Sequence, residues 1–163
     1  MPTVTLDTNL VDDDELLAAA RAAGLEVAHT TVTDRELSGS GVTAAGGRKA
    51  RIIETGVVGE SIVGMFVPGS REDQTLFDNL LEIISDGSFP RGEKRKSLSR
   101  GQKRQVRDAM IFCAHVRESR AMFVTNDLKG FILNGRRERL QQQFGTHIYT
   151  AAEFLDVCRD ATK

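Results

Sequence analysis

The chain has 163 residues, 40% hydrophobic and 28% charged, with a formal net charge of −1. That length suits a single domain over residues 1–163, able to bury well over half of the surface of its unfolded form. No apolar run approaches the roughly 18 residues needed to cross a bilayer, which excludes a membrane-spanning chain.

Taken in chain order, Thr3-Val4-Thr5-Leu6 reads as a short strand that ends on Asp7-Thr8-Asn9. Asp12, Asp13, Asp14 and Glu15 then crowd acids where a helix begins, which suits its N-terminal dipole. Leu16, Leu17, Ala20 and Ala23 share a face, and Gly24 stops the helix. Leu25, Val27 and Ala28 form a second strand, and Thr33-Asp34-Arg35-Glu36 opens a helical turn that Thr33 or Asp34 would cap. Glycines break the stretch from Ser38 to Gly47, and the β-branched run Ile52–Val67 suggests a short hairpin or an extended flap. A helix carrying Leu76, Phe77, Leu80, Leu81 and Ile84 follows, and Gly87–Lys96 reads as a mobile basic loop.

Ser99 starts a long helix, with Gln102 as its capping-box partner, running to about Ser119. Next come a Met122–Val124 strand ending on Thr125-Asn126-Asp127, a polar helix near Arg136–Gln143, a His147–Tyr149 strand and a closing helix through Phe154, Leu155 and Cys158. Strands alternating with helices imply an α/β fold, a parallel sheet covered by helices on both faces. The N-terminus shows no basic segment followed by an apolar core, so a secretory signal is not expected. Cys113 and Cys158, both in apolar helical patterns, read as free buried thiols in a reducing compartment. A cytoplasmic location is the expectation.

The near-zero net charge hides an asymmetry. Residues 1–38 hold eight acids (Asp7, Asp12, Asp13, Asp14, Glu15, Glu26, Asp34, Glu36) against Arg21 and Arg35. Residues 91–107 hold eight bases (Arg91, Lys94, Arg95, Lys96, Arg100, Lys103, Arg104, Arg107) against Glu93. Such a stripe suits a polyanion, although a solvated face is an equally good reading of the stripe alone. Little aromatic residue interrupts it, so phosphate contacts rather than base stacking would carry binding.

Four acids stand apart. In an open parallel sheet, ligands bind outside the carboxyl ends of the strands. Asp7 and Asp127 closely follow strands. Asp108 shares a helix face with Ile111 and Phe112, where an acid is costly unless partnered. Glu36 lies in the helical turn after the second strand. Converging carboxylates hold divalent cations, and hard oxygen donors suit Mg²⁺ or Mn²⁺. His29, His115 and His147 do not pair at metal-ligand spacing and read as core or boundary residues. Gly41–Lys49 lacks the Gly-Lys-Ser/Thr of a P-loop, and no Gly-x-Ser-x-Gly elbow is present.

In this order and context the acids resemble those of the PIN-domain nucleases. The matching residues are Leu6-Asp7-Thr8-Asn9, Glu36 in Thr33-Asp34-Arg35-Glu36-Leu37, Asp108 in Arg107-Asp108-Ala109-Met110-Ile111, and Thr125-Asn126-Asp127. The closing Ile148-Tyr149-Thr150-Ala151-Ala152-Glu153-Phe154-Leu155 also looks like that family's last strand and helix. The likeness fails across about 39–97, a divergent or inserted glycine-rich and basic segment.

The resemblance implies a three-layer αβα sandwich around about five parallel strands. It implies a metal-dependent endoribonuclease that hydrolyses RNA phosphodiesters with a metal-activated water, leaving a 5′-phosphate and a 3′-hydroxyl. Asp7, Glu36, Asp108 and Asp127 would be its catalytic and metal-holding residues, with Asn9 and Thr125 in support. Lys94, Arg95, Lys96, Arg100, Lys103, Arg104 and Arg107 would guide the RNA backbone, with Arg136, Arg137 and Arg139 extending the track. A toxin of a toxin–antitoxin pair is the narrower form, which adds an antitoxin partner, and a homodimer is common in the family. Two alternatives differ in class: a non-catalytic PIN-like RNA-binding module, which would not need four acids, and a Mg²⁺-dependent phosphoryl-transfer domain using Asp7 as nucleophile. The latter calls for a second acid two positions after Asp7, where Asn9 stands.

Overall fold

The computed structural model describes residues 1–34, 50–56 and 66–162. Glu36 and most of the glycine-rich stretch therefore lie outside the described residues. β1 (Thr3–Leu6) pairs parallel with β2 (Glu26–Thr30) on one side and β6 (Met122–Val124) on the other, and β7 (His147–Tyr149) pairs parallel with β6. These four strands form a continuous parallel sheet, and the three-residue β3 (Ala50–Ile52) lies parallel along the outer side of β2. The helices are α1 (Asp14–Ala22), α2 (Arg71–Ile84), α3 (Arg100–Arg117), α4 (Arg136–Phe144) and α5 (Ala151–Ala161).

Helix starts follow local chemistry. Asp13 caps α1 by accepting from Leu16 N at 3.0 Å, and Gly24, with φ +67°, follows the helix end in the left-handed region where a side chain would be strained. Capping boxes open α2 (Ser70 with Asp73), α3 (Ser99 with Gln102) and α5 (Thr150 with Glu153). The strands alternate between two cores. Val4, Leu6, Met122 and Val124 pack with Leu16, Ala20, Phe154 and Cys158 beneath α1 and α5. Phe123 and Ile148 pack with Leu80, Leu81, Phe112 and Leu140 beneath α2, α3 and α4. Helices thus flank the sheet on both faces, each burying its apolar stripe. Among the described residues, no helix is long and apolar enough to cross a membrane. Cys113 and Cys158 are free and buried.

Two local expectations change. Residues 54–55 (β4) and 66–67 (β5) pair parallel, which sets aside the hairpin, one of the two forms expected across Ile52–Val67. A tight hairpin can only make antiparallel neighbours. The basic stretch Gly87–Lys96 is anchored to α2: Phe89 is buried, Arg95 lies over its ring and reaches Asp78, and Arg91 reaches Glu82. Gly92–Lys96 forms a 3₁₀ turn.

His115 joins α3 to the sheet and is fully buried. Thr146 Oγ1 donates to the Ala121 carbonyl, so it accepts from His115 Nε2–H at 2.7 Å; His115 Nδ1 in turn accepts from Thr5 Oγ1 at 2.9 Å. The ring is held neutral in one tautomer. Burial, reinforced by Arg120, lowers its pKa to about 3. The unfolded chain takes up this proton below about pH 6.5. Because the folded value is depressed, stability is lost as pH falls from about 6.5 toward about 3, at up to about 1.4 kcal/mol per pH unit from this group. Urea midpoints measured between pH 7 and 4.5 are expected to fall more steeply in the wild type than in His115→Gln. Parallel slopes would contradict the assignment.

Candidate functional site

β1 and β6 are neighbours, so their carboxyl ends lie side by side, and the acids that follow them are brought together across 120 positions of sequence. Asp7 N–H donates to the Val124 carbonyl at 2.9 Å, continuing the ladder one residue beyond β1. Asp7 is 6% exposed and caps the 3₁₀ turn Thr8–Leu10, Oδ1 accepting from Thr8 N at 2.8 Å. Its Oδ2 accepts from the hydroxyl of the fully buried Thr125 at 2.7 Å. The same Thr125 oxygen accepts from Asp127 N at 2.9 Å. One hydroxyl therefore ties the two strand-end acids together, a charge-assisted bond on one side and a backbone bond on the other.

Asp127 heads a π-helical turn, Leu128–Ile132, in which Leu133 N reaches back to the Leu128 carbonyl at 2.8 Å. Such turns are rare and concentrate at functional sites. Asp127 Oδ1 accepts from Gly130 N at 3.0 Å, and Oδ2 faces the Arg104 guanidinium at 3.5 Å. A Cβ on Gly130 would stand 2.8 Å from Asp127 Oδ2 and 3.1 Å from its Cγ, so the glycine leaves the room in which this carboxylate sits.

Asp108 is half-buried on α3. It shares a stripe with Arg104, one turn earlier, and with Ile111, Phe112 and His115, all buried. Two contacts bracket it: His115 with Thr5 on β1, and Arg104 with Asp127. From His115 back to Asp108 is about 10 Å along the helix, and from Thr5 forward to Asp7 about 7 Å along the strand. Strand alternation sends Thr5, Asp7, Phe123 and Thr125 to the face that α3 covers, opposite Val4, Leu6, Met122 and Val124. Asp108 thus belongs to the stretch of α3 that passes the strand ends. Among the described residues, no three His, Cys, Asp or Glu side chains converge closely enough to hold a metal ion.

Asn9 is exposed on the turn that Asp7 caps. Lys94, Arg95, Lys96, Arg100, Lys103 and Arg104 are exposed and Arg107 half-buried. Arg95 is committed to Asp78 and the Pro90 carbonyl. Arg136 and Arg139 both reach Asp86, and Arg137 reaches Glu153, so the expected extension of the basic track is neutralised within the fold.

Three polar contacts have no counterpart among the expectations from sequence. Glu54 is fully buried; its Oε2 accepts from Thr31 Oγ1 at 2.9 Å and its N–H donates to the same oxygen at 3.1 Å. The one sequence signal was an acid inside a β-branched run. His29 Nε2 and Asp34 Oδ1 lie 2.8 Å apart beside the second strand end. Asn126 Oδ1 accepts from Ala151 N at 3.1 Å, tying the Asp127 loop to the start of α5.

No protein-family model, curated protein or solved structure matches this chain.

Gly130→Ala is expected to cost about 1–3 kcal/mol, since overpacking of a fixed site is penalised on that scale. In an Asp127→Ala background the same change should cost much less, because the group it meets is gone. A denaturant double-mutant cycle checks this; equal costs in both backgrounds would contradict the packing.

Proposed function

We propose that this chain is a divalent-metal-dependent phosphodiester hydrolase, and within that class an endoribonuclease of the PIN type. The observation that carries the reading is the Asp7–Thr125–Asp127 linkage at the carboxyl ends of adjacent parallel strands, where sheets of this class bind ligands. A parallel sheet flanked by helices on both faces is compatible with the PIN three-layer sandwich.

The donor set fits the implied ion by chemistry. Asp7 and Asp127 offer only hard carboxylate oxygens, already oriented by Thr125, Thr8 and Gly130, and Asp127 already faces a cation in Arg104. Asp7 and Asp127 would hold Mg²⁺ or Mn²⁺ together with waters, since Mg²⁺ takes only one or two protein carboxylates; Asp108, which does not close on them as a third ligand in the cation-free chain, would hold a bound water, and Glu36 would complete the set. When bound, such an ion neutralises a phosphate and acidifies a water. The chain's own part is to fix the carboxylates. Thr125 holds Asp7 Oδ2 through its hydroxyl and the Asp127 backbone N–H through the same oxygen, and the recessed position of both acids limits competing water.

Of the basic residues, those at the start of α3 are best suited to carry RNA phosphates. Arg100, Lys103, Arg104 and Arg107 fall at i, i+3, i+4 and i+7, on one helix face immediately before Asp108. Arg91 and Arg95 serve α2 instead. A toxin-type ribonuclease with its own antitoxin is the narrower form of the proposal.

The test is incubation of labelled single-stranded and structured RNA with Mn²⁺, Mg²⁺ or EDTA. Cleavage is expected with metal and absent in EDTA, and Asp7→Asn should reduce it by at least about a hundredfold, the scale of losing a group that acts in the transition state. Binding without cleavage, unchanged in Asp7→Asn, would contradict the hydrolase and favour an RNA-binding module.

A further inference from the structure

Asp127 has one oxygen committed and one facing a cation. Oδ1 is held by Gly130 N at 3.0 Å, and the carboxylate lies against the glycine where a Cβ would collide. It therefore cannot turn Oδ2 aside without breaking that bond. The group that Oδ2 meets is the Arg104 guanidinium, 3.5 Å away. The Arg104 side chain is 69% exposed whereas that of Asp127 is 14% exposed, so the arginine reaches from solvent into a recessed acid. Other arginines here behave differently. Arg95, Arg136 and Arg139 pair with Asp78 or Asp86 on α2 and the segment after it, not with a strand-end acid.

We propose that Arg104 is a charge latch. In the cation-free protein its guanidinium neutralises Asp127. A divalent cation that takes Oδ2 competes with the guanidinium for that oxygen's negative charge, and Arg104 is released to the basic face formed with Arg100, Lys103 and Arg107. The proposal rests on the metal-dependent reading above and adds a role for this residue: cation loading releases one more positive charge toward phosphate. Solvent screens the repulsion between a bound ion and an exposed guanidinium as it screens the pair itself, so the bias toward exchange is modest, and a single long, exposed ion pair opposes it only weakly. By linkage, whatever factor Arg104 subtracts from cation affinity, the cation subtracts from the Arg104–Asp127 pairing.

The test uses Mn²⁺ alone, titrated calorimetrically into the wild type, Arg104→Gln and Arg159→Gln. The last variant removes an equal charge from an exposed site on α5. Arg104→Gln should bind Mn²⁺ about three- to fivefold more tightly, the scale of one partly exposed pair, with Arg159→Gln close to wild type. Mg²⁺ titration of ¹⁵N-labelled wild type should shift the Arg104 side-chain resonance. Equal Mn²⁺ affinity in wild type and Arg104→Gln would overturn the latch and leave the metal site standing. Weaker binding in Arg104→Gln would also overturn it, making Arg104 a support of the site. No Mn²⁺ binding in either protein would overturn both the latch and the metal-dependent reading.

Discussion

The packing of Phe112 decides where the site's helix-borne groups stand. Fully buried, its ring meets Phe123 on β6 at 5.0 Å, Phe131 in the π-helical turn at 5.7 Å, Phe144 on α4 at 6.0 Å and His115 on its own helix at 5.4 Å. Burial of such a side chain contributes about 1.5–3 kcal/mol, and each aromatic pair adds about 0.5–1.5. The exposed Arg104–Asp127 pair contributes at most about 1. Aromatic packing therefore fixes α3 over the sheet, and the charges along α3 take the positions it sets. Asp108 is one turn before Phe112 and Arg104 one turn before that.

Polar groups then do what apolar packing cannot, which is to orient individual oxygens. The hydroxyl of Thr125 donates to Asp7 and accepts from the backbone of Asp127. That bond to a buried charge contributes about 1.5–3 kcal/mol, and a buried carboxylate deprived of it would be left partly unsatisfied. His115 performs the same service at the other end of the stripe, bridging Thr5 and Thr146. The charge asymmetry of the sequence resolves into two kinds of base. Arg91, Arg95, Arg136, Arg137 and Arg139 are balanced by acids of the fold. The first two turns of α3 present a basic face beside the strand-end acids.

Local signals made much of this legible. The capping box at Ser99 and Gln102, the acids ahead of α1 and the apolar stripes of α2 and α3 name their own boundaries, because the residues involved lie within four positions of one another. Strand ends marked by Asp7 and Asp127 were readable once a parallel sheet was expected. Features whose partners are distant in sequence were not. Nothing near Glu54 indicates that Thr31 will bond it, nothing near Gly130 except its lack of a side chain indicates that Asp127 will fill the space, and nothing in the two-residue strands β4 and β5 indicates that Glu54 will pair with Phe66. The neutralised arginines follow the same rule: Asp86 lies 50 residues before Arg136. Glu36, the fourth acid of the expected set, falls outside the described residues.

The central claim is that Asp7 and Asp127, joined through Thr125, serve one cation. The most direct measurement is a double-mutant cycle on Mn²⁺ affinity with Asp7→Asn, Asp127→Asn and the double variant, read by electron paramagnetic resonance of free Mn²⁺. The account predicts strong non-additivity, with either single change removing most of the binding and the second adding little. Additive losses, or affinity unaffected by either change, would mean that the two acids do not share an ion.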